Sequence, residues 1–182
     1  MTDAVAALRR GEPVVLPTDT VYGLCCAAGT REPTERLYAL KRRDLAQPSA
    51  LLAASVDDLL AAVPELDRGQ ILTGPYTLVL RNPARRFAWI CGTTPETIGV
   101  RVPDLPQPAA DVVRALGVVV ATSANLHGEP DPRSIAELAH ELRSLVVVDA
   151  GDLPGTPSTV IDFTGAEPRV LRHGAGAFSP AS

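Results

Sequence analysis

Aromatic residues are scarce in this chain. They make up 4% of its 182 residues, one Trp, three Tyr and three Phe, too few for a groove in which successive bases of a nucleic-acid strand stack. Positive charge is not in excess either. The formal net charge is −4, so nothing draws a phosphate backbone to the molecule as a whole, and any RNA contact needs a local patch. Cysteine is limited to Cys25, Cys26 and Cys91, with no Cys-x-x-Cys, and the three histidines His127, His140 and His173 are dispersed. A disulfide framework and a zinc site are therefore not expected, whereas the reduced thiols of a cytoplasmic protein are. No apolar run approaches membrane-spanning length, and "MTDAVAALRRGEPVV" lacks the basic start and apolar core of a signal peptide, so a membrane partner is not expected. The common signatures are missing too: no G-x-x-x-x-G-K-[ST], no G-x-S-x-G, no H-E-x-x-H, and a "GAGAFS" without the third glycine or the strand-then-helix setting of a dinucleotide site. Lysine is the last scarcity. Of 17 basic residues only Lys41 is a lysine, and a compact ammonium serves different purposes from a planar guanidinium.

What is present reads as globular: 46% hydrophobic and 21% charged, in a length that one α/β domain over residues 1–182 accommodates. Residues 3–10 read as a helix stopped by Gly11 and Pro13. "VVLPTDTVYGLCCAA" reads as a strand, a polar turn and a second extended segment. Pro33 opens a helix whose basic end is Lys41 to Arg43. "SALLAA", "YTLVLR", "TIGVRV", "GVVVATSAN", "LVVVD", "STVID" and "RVLR" read as strands, and "VDDLLAAV", "PAADVVRAL" and Ser134 to Leu142 as helices. Gly and Pro concentrate at residues 151–157, the composition of a mobile loop.

Several polar residues stand at strand ends, where open α/β sheets place their ligands. Ser123 and Asn125 emerge at the carboxyl end of the apolar run "VVVATSAN", although both residues also favour turns. In "TIGVRV" the period of two puts Thr97, Gly99 and Arg101 on one face, which fits an anion approaching close to backbone and equally fits a solvated face with one ion pair. Lys41 and Arg43 read either as helix-end charges or, if the chain leaves the helix there and becomes extended, as an i, i+2 pair converging on one anion while Arg42 turns away. "PTDT" is a capped turn, or it supplies the hydroxyls of Thr18 or Thr20 to a cleft. The adjacent Cys25 and Cys26 read as small core residues.

Taken in order, "PTDTVYGL", "KRR" followed by "QPSALL", "TGPYTLVL", "VRVPDLP", "ATSANLHG" and "STVID...VLRHG" resemble the YrdC/TsaC family of threonylcarbamoyl-AMP synthases. The resemblance runs from about residue 2 to residue 176. It implies a single-domain, twisted mixed α/β sheet with helices around a large concave cleft. It implies synthesis of threonylcarbamoyl-AMP from L-threonine, bicarbonate and ATP with release of pyrophosphate, the nucleotidyl transfer that feeds threonylcarbamoyladenosine modification of tRNA. A threonylcarbamoyl transferase is the implied partner protein and tRNA a further one. Mg²⁺ arrives with ATP, without a tight metal site of the protein's own. Carried over by motif, Lys41 and Arg43 are the catalytic K-x-R pair on the phosphates, and Gln47, Thr97, Ser123, Asn125 and Arg172 complete the ATP site. Thr20, Arg101, Ala121 and Ser158 hold threonine, with Arg101 on its carboxylate. No protein nucleophile is implied, because the carbamate of threonine itself attacks phosphorus. The chain departs from the family pattern at Asp44, Gln47, Leu52, Thr73, His127 and Asp131. Two other readings remain open: a non-enzymatic RNA-binding module, and a paralogue with a different carbamoyl or amino-acid substrate.

Overall fold

The computed structural model describes residues 2–179; Met1 and residues 180–182 of the expected 1–182 domain lie outside them. The chain starts with helix α1 (Thr2–Arg9) and strands β1 (Val14–Pro17) and β2 (Tyr22–Ala27), then alternates α2 (Arg31–Lys41), β3 (Ala50–Ala53), α3 (Val56–Ala62), β4 (Tyr76–Arg81), β5 (Thr97–Arg101), α4 (Gln107–Arg114) and β6 (Val118–Ser123). The short helix α5 (His140–Arg143) and strands β7 (Val146–Val147), β8 (Thr159–Asp162) and β9 (Arg169–Arg172) follow. The nine strands among the described residues belong to one mixed sheet ordered β7-β1-β2-β6-β3-β5-β4-β8-β9. The expected α/β sheet architecture is what the chain adopts.

Local chemistry accounts for most of these elements. The β1–β2 turn is held by one hydroxyl: Thr18 Oγ1 donates to the Val21 carbonyl (2.7 Å) and accepts from the Thr20 and Val21 amides. Helix α2 carries two i, i+4 ion pairs, Arg31–Glu35 and Glu32–Arg36, which support an exposed helix face by a few tenths of a kcal/mol each, roughly. Ser55 caps α3 by accepting from the Asp58 amide, and its own hydroxyl donates to the Asp58 carboxylate.

The sheet separates two cores. On one face Leu24, Cys26, Leu51, Leu78, Leu80, Ile98, Val100 and Val120 pack under α2 and α3. On the other, Cys25, Leu52, Val119 and Ala121 pack with α1 and α4. These helices cover only part of the second face. Further along the same face the strand register aligns Ala121 with Ala50, and Ala50 with Gly99. Three neighbouring central strands thus present side chains no larger than a methyl group, and the uncovered face sinks into a hollow. A Cβ on Gly99 would sit 3.1 Å from the Ser49 carbonyl oxygen, so even a methyl is crowded there.

Two expectations need correction. The stretch Ser134 to Leu142 is not one helix: a 3₁₀ turn (Ile135–Glu137) is separated from α5 by Leu138 and Ala139, whose backbones are extended (φ −63°, ψ 139° and φ −58°, ψ 151°). Leu138 is buried, and Arg143 donates to the carbonyls of Leu138 (2.7 Å) and Ala136 (2.5 Å). Burying one leucine and capping two carbonyls here outweighs a continuous helical ladder.

The Gly/Pro-rich stretch 151–157 is irregular but tied down along its length. Leu153 N–H donates to Arg133 O (2.8 Å), Gly155 N–H to Thr20 O (2.9 Å), and Pro157 O accepts from Ala175 N–H (2.8 Å). Tyr22 contributes its hydroxyl to Gly151 O (2.8 Å), and Leu153 is buried. In ligand-free protein, amide exchange at Leu153 and Gly155 is therefore expected to be slower than at Asp152 and Thr156 by about tenfold or more, measured by NMR-detected hydrogen exchange. Equal, fast exchange across all four would restore the mobile-loop reading.

Candidate active site

The hollow is a cavity of about 390 Å³ whose floor is Gly23, Ala50, Gly99 and Ala121. Its walls bring together Thr20, Arg43, Thr97, Arg101, Ser123, Ser158 and Arg172. Strands β2, β5, β6 and β8 contribute to it, as does the segment after α2. Of the eleven residues expected at the site, eight line this one cavity and three do not: Lys41, Gln47 and Asn125 lie behind its wall. A wider groove of about 660 Å³ between α1 and α4 lacks convergent buried polar groups, and its Arg10 and Arg114 are already paired with Glu12 and Asp111.

Lys41 is the last residue of α2 and is buried. Its ammonium donates to Ser123 O (2.6 Å), Asn125 Oδ1 (2.5 Å), Asn125 O (3.0 Å) and Ser123 Oγ (3.3 Å). Ser123 Oγ donates in turn to Asn125 Oδ1 (2.7 Å), and Asn125 Nδ2 to the Glu129 carbonyl. The lone lysine thus fastens the turn after β6 to the end of α2. Burial and the neighbouring Arg43 push its pKa down to about 8, and Asp131 pulls the other way, so it remains an ammonium at neutral pH.

The K-x-R segment is not extended, as the i, i+2 argument requires. The helix continues through Lys41, and Arg42 turns the chain in the left-handed region (φ 55°), its amide and that of Arg43 closing onto Ala39 O and Tyr38 O. This reversal separates Arg43 from Arg42 as expected, but it leaves Lys41 behind the wall instead of beside Arg43 in the cavity. Arg43 enters the cavity wall, while Arg42 points outward to Glu141. Arg43 donates to Thr122 Oγ1 (2.8 Å) and Pro48 O (2.5 Å), lies 5.4 Å from the Tyr38 ring centroid, and has an Nε–H without a protein partner. Gln47 sits in the following turn, where its carbonyl accepts from Tyr38 Oη (2.6 Å). Asp44 caps that turn through the Ala46 amide (2.8 Å).

At the other end of the cavity Arg101 is nearly enclosed. It donates to Asp19 Oδ1 (2.9 Å) and Thr20 Oγ1 (3.2 Å), while its Nε–H and the second Asp19 oxygen, Oδ2, are buried without partners. Burial lowers the Arg101 pKa against the pull of Asp19, and raises that of Asp19 against the pull of Arg101. The guanidinium is anchored along one edge and keeps hydrogen-bonding capacity for a carboxylate. Ser158 and Arg172 meet on the third wall: Arg172 donates twice to Ser158 O (2.9 and 3.2 Å), and Ser158 Oγ is 2.8 Å from Thr77 Oγ1. Thr97 Oγ1 donates to Thr94 O (3.1 Å).

Sequence reasoning passed over Asp19, Thr77 and Thr122. Thr77 was detectable, since "YTLVLR" alternates Thr77 and Val79 against Leu78 and Leu80. Among the departures, Leu52 is buried between the sheet and α4 and lies outside the cavity lining, His127 and Thr73 are exposed, and Asp131 lines the cavity.

A twisted mixed sheet whose bared face gathers Arg43, Arg101 and Arg172 around a small-residue floor defines a binding cleft for a small anionic molecule or two. The match to known proteins agrees. The Sua5/YciO/YrdC family model, described as telomere recombination, covers residues 6–174, and the chain belongs to that family. It is 34% identical to the threonylcarbamoyl-AMP synthase of Chromohalobacter salexigens over 92% of this chain and 94% of the relative. The enzyme of the same name from Xanthomonas axonopodis pv. citri is 37% identical over 80% and 83%. The structure of Pyrococcus abyssi Sua5 complexed with L-threonine superposes with a TM-score of 0.81 at 30% identity, covering 94% of this chain and 53% of that one.

Two predictions test the site's construction. Ala50→Leu fills the floor without touching a cation, and is expected to leave the melting temperature within a few degrees while weakening ligand binding by about tenfold or more, measured by calorimetry with ATP. Lys41→Met strands the oxygens of Ser123 and Asn125 and is expected to cost about 1–3 kcal/mol in urea unfolding, against less than about 0.5 for Arg42→Ala. The pH sense is fixed by linkage. Lys41 loses its proton near pH 8 when folded and at its ordinary 10.5 when unfolded. Between these values the unfolded chain holds the extra proton, so the stability gap between wild type and Lys41→Met widens as pH rises from 8 to 10.5.

Proposed function

We infer that this chain is a threonylcarbamoyl-AMP synthase, taking L-threonine, bicarbonate and ATP and releasing pyrophosphate. One observation carries the reading. Two guanidiniums, the half-buried Arg43 and the nearly enclosed Arg101, stand on the wall of a single cavity, each with a buried and unpartnered Nε–H, and the cavity floor is small and uncharged. Two anions bound at once, a polyphosphate and an amino-acid carboxylate, match that pair.

In this reading Arg43 and the Ser123 hydroxyl engage the phosphates. Lys41 acts from behind, as a buried positive charge and as the clasp that holds Ser123 and Asn125. Arg101 takes the threonine carboxylate, flanked by Thr20 and Ala121, and Ser158 and Arg172 close the third wall with Thr97 opposite. Gln47, outside the cavity, would serve through the turn that carries Arg43. Bicarbonate converts the threonine amine to a carbamate with loss of water. A carbamate oxygen attacks the α-phosphorus, the bond to the β-phosphate oxygen breaks, and pyrophosphate leaves with its electron pair. The protein's part is to juxtapose the two anions and offset the charge. Mg²⁺ bound to ATP would neutralise phosphate charge and favour pyrophosphate as a leaving group. The product serves threonylcarbamoyladenosine formation on tRNA through a partner transferase. No helix among the described residues is long and apolar enough to cross a membrane, in keeping with a cytoplasmic tRNA-modifying enzyme.

Pyrophosphate release is expected to require ATP, threonine and bicarbonate together. Arg101→Met should raise the threonine requirement by roughly 30-fold or more with ATP binding retained, and Arg43→Met should do the reverse. Release that ignores the amino acid would favour the paralogue reading.

A further inference from the structure

We propose that Asp131 takes a divalent cation together with the nucleotide phosphates, so that this cleft selects the metal complex of the polyphosphate over the bare anion. The proposal rests on the nucleotide reading above and goes beyond it to one residue. Asp131 is the single carboxylate among the described residues that line the cavity, which Arg43, Thr122 and Ser123 also line. Its charge acts on Lys41. Yet among the described residues neither cation pairs with it. The protons of Lys41 are spread over four oxygens of Ser123 and Asn125, and both terminal nitrogens of Arg43 are engaged by Thr122 and Pro48.

An unpaired carboxylate on a wall meant for phosphates is repulsive unless something lies between the two. A hard divalent cation does so, because Mg²⁺ is commonly held by one or two carboxylates plus substrate phosphates while keeping several waters. The described residues contain no group of three or more His, Cys, Asp or Glu able to hold a metal. The cation therefore arrives with the nucleotide, and Asp131 contributes a single ligand, direct or through water.

The test is calorimetric binding of ATP to the full chain at pH 7, with Mg²⁺ and separately with excess EDTA, for wild type, Asp131→Asn and Asp131→Ser. Wild type is expected to prefer Mg·ATP by about tenfold or more. Both variants should bring that ratio close to one, mainly by strengthening metal-free binding, and leave adenosine binding unchanged. With Mn²⁺ in place of Mg²⁺, the electron paramagnetic spectrum of the ATP complex should differ between wild type and Asp131→Asn. An unchanged Mg²⁺/EDTA ratio in the variants overturns the inference alone. So does equal weakening under both conditions, which would mark Asp131 as a hydrogen-bond acceptor for the ribose. Failure of wild type to bind ATP in either form overturns the nucleotide reading and this inference with it.

Discussion

The buried ammonium of Lys41 is the contact on which the cleft depends. Its backbone carbonyl accepts from the His127 amide (3.0 Å), and its side chain holds both carbonyls and both side-chain oxygens of Ser123 and Asn125. One residue therefore ties the end of α2 to the turn after β6 in both directions. An arginine offers a planar fork of fixed geometry, whereas these four oxygens surround a point. Within this segment it is Arg43, turned inward by the left-handed Arg42, that reaches the cavity as a guanidinium. The single lysine in an arginine-rich chain is where the fold needs a spherical cation.

The cleft itself follows from the sheet's arithmetic. Alternation puts Ala121, Ala50 and Gly99 on one face of the sheet, and the register brings them side by side on three adjacent strands. Large residues on the opposite face pack against α2 and α3, and α1 and α4 close one part of the small-residue face. The remainder cannot be filled by its own side chains, so the cavity is a deficit of volume that the chain encodes in three positions.

How much of this the sequence carried varies with range. Period-two alternation placed Thr97, Gly99 and Arg101 on one face, and so they stand. The apolar run ending in "SAN" became β6 with Ser123 at the cavity mouth. The six-motif resemblance located eight of its eleven site residues on one cavity. What escaped depends on contacts distant in sequence. That Asn125 turns to Lys41 instead of the cavity is decided across 84 positions. The 151–157 stretch has the composition of a free loop, but its amides find carbonyls at Arg133 and Thr20, which nothing local announces. The break at Leu138 came from a buried side chain competing with helical hydrogen bonds, a tertiary choice overriding periodicity. The expected convergence of Lys41 and Arg43 on one anion is not what the fold gives: the left-handed turn at Arg42, unusual for a residue with a side chain, sends Arg43 to the cavity and leaves Lys41 behind its wall.

Charge distribution bears on the alternative of an RNA-binding module. The chain is acidic overall, and many of its exposed arginines are occupied: Arg10 with Glu12, Arg31 with Glu35, Arg36 with Glu32, Arg42 with Glu141, Arg68 with Asp57 and Arg133 with Asp152. Such pairs contribute little stability, but they remove the open basic face that a phosphate backbone would follow. Arg43 and Arg101 keep buried N–H groups without a protein partner on the cavity wall, placed for a small anion that enters the cleft. Positive charge inside a cleft, beneath a surface whose arginines are in good part paired, discriminates by size as well as sign. That distribution favours an enzyme of small charged substrates whose product, rather than whose surface, is what connects it to tRNA.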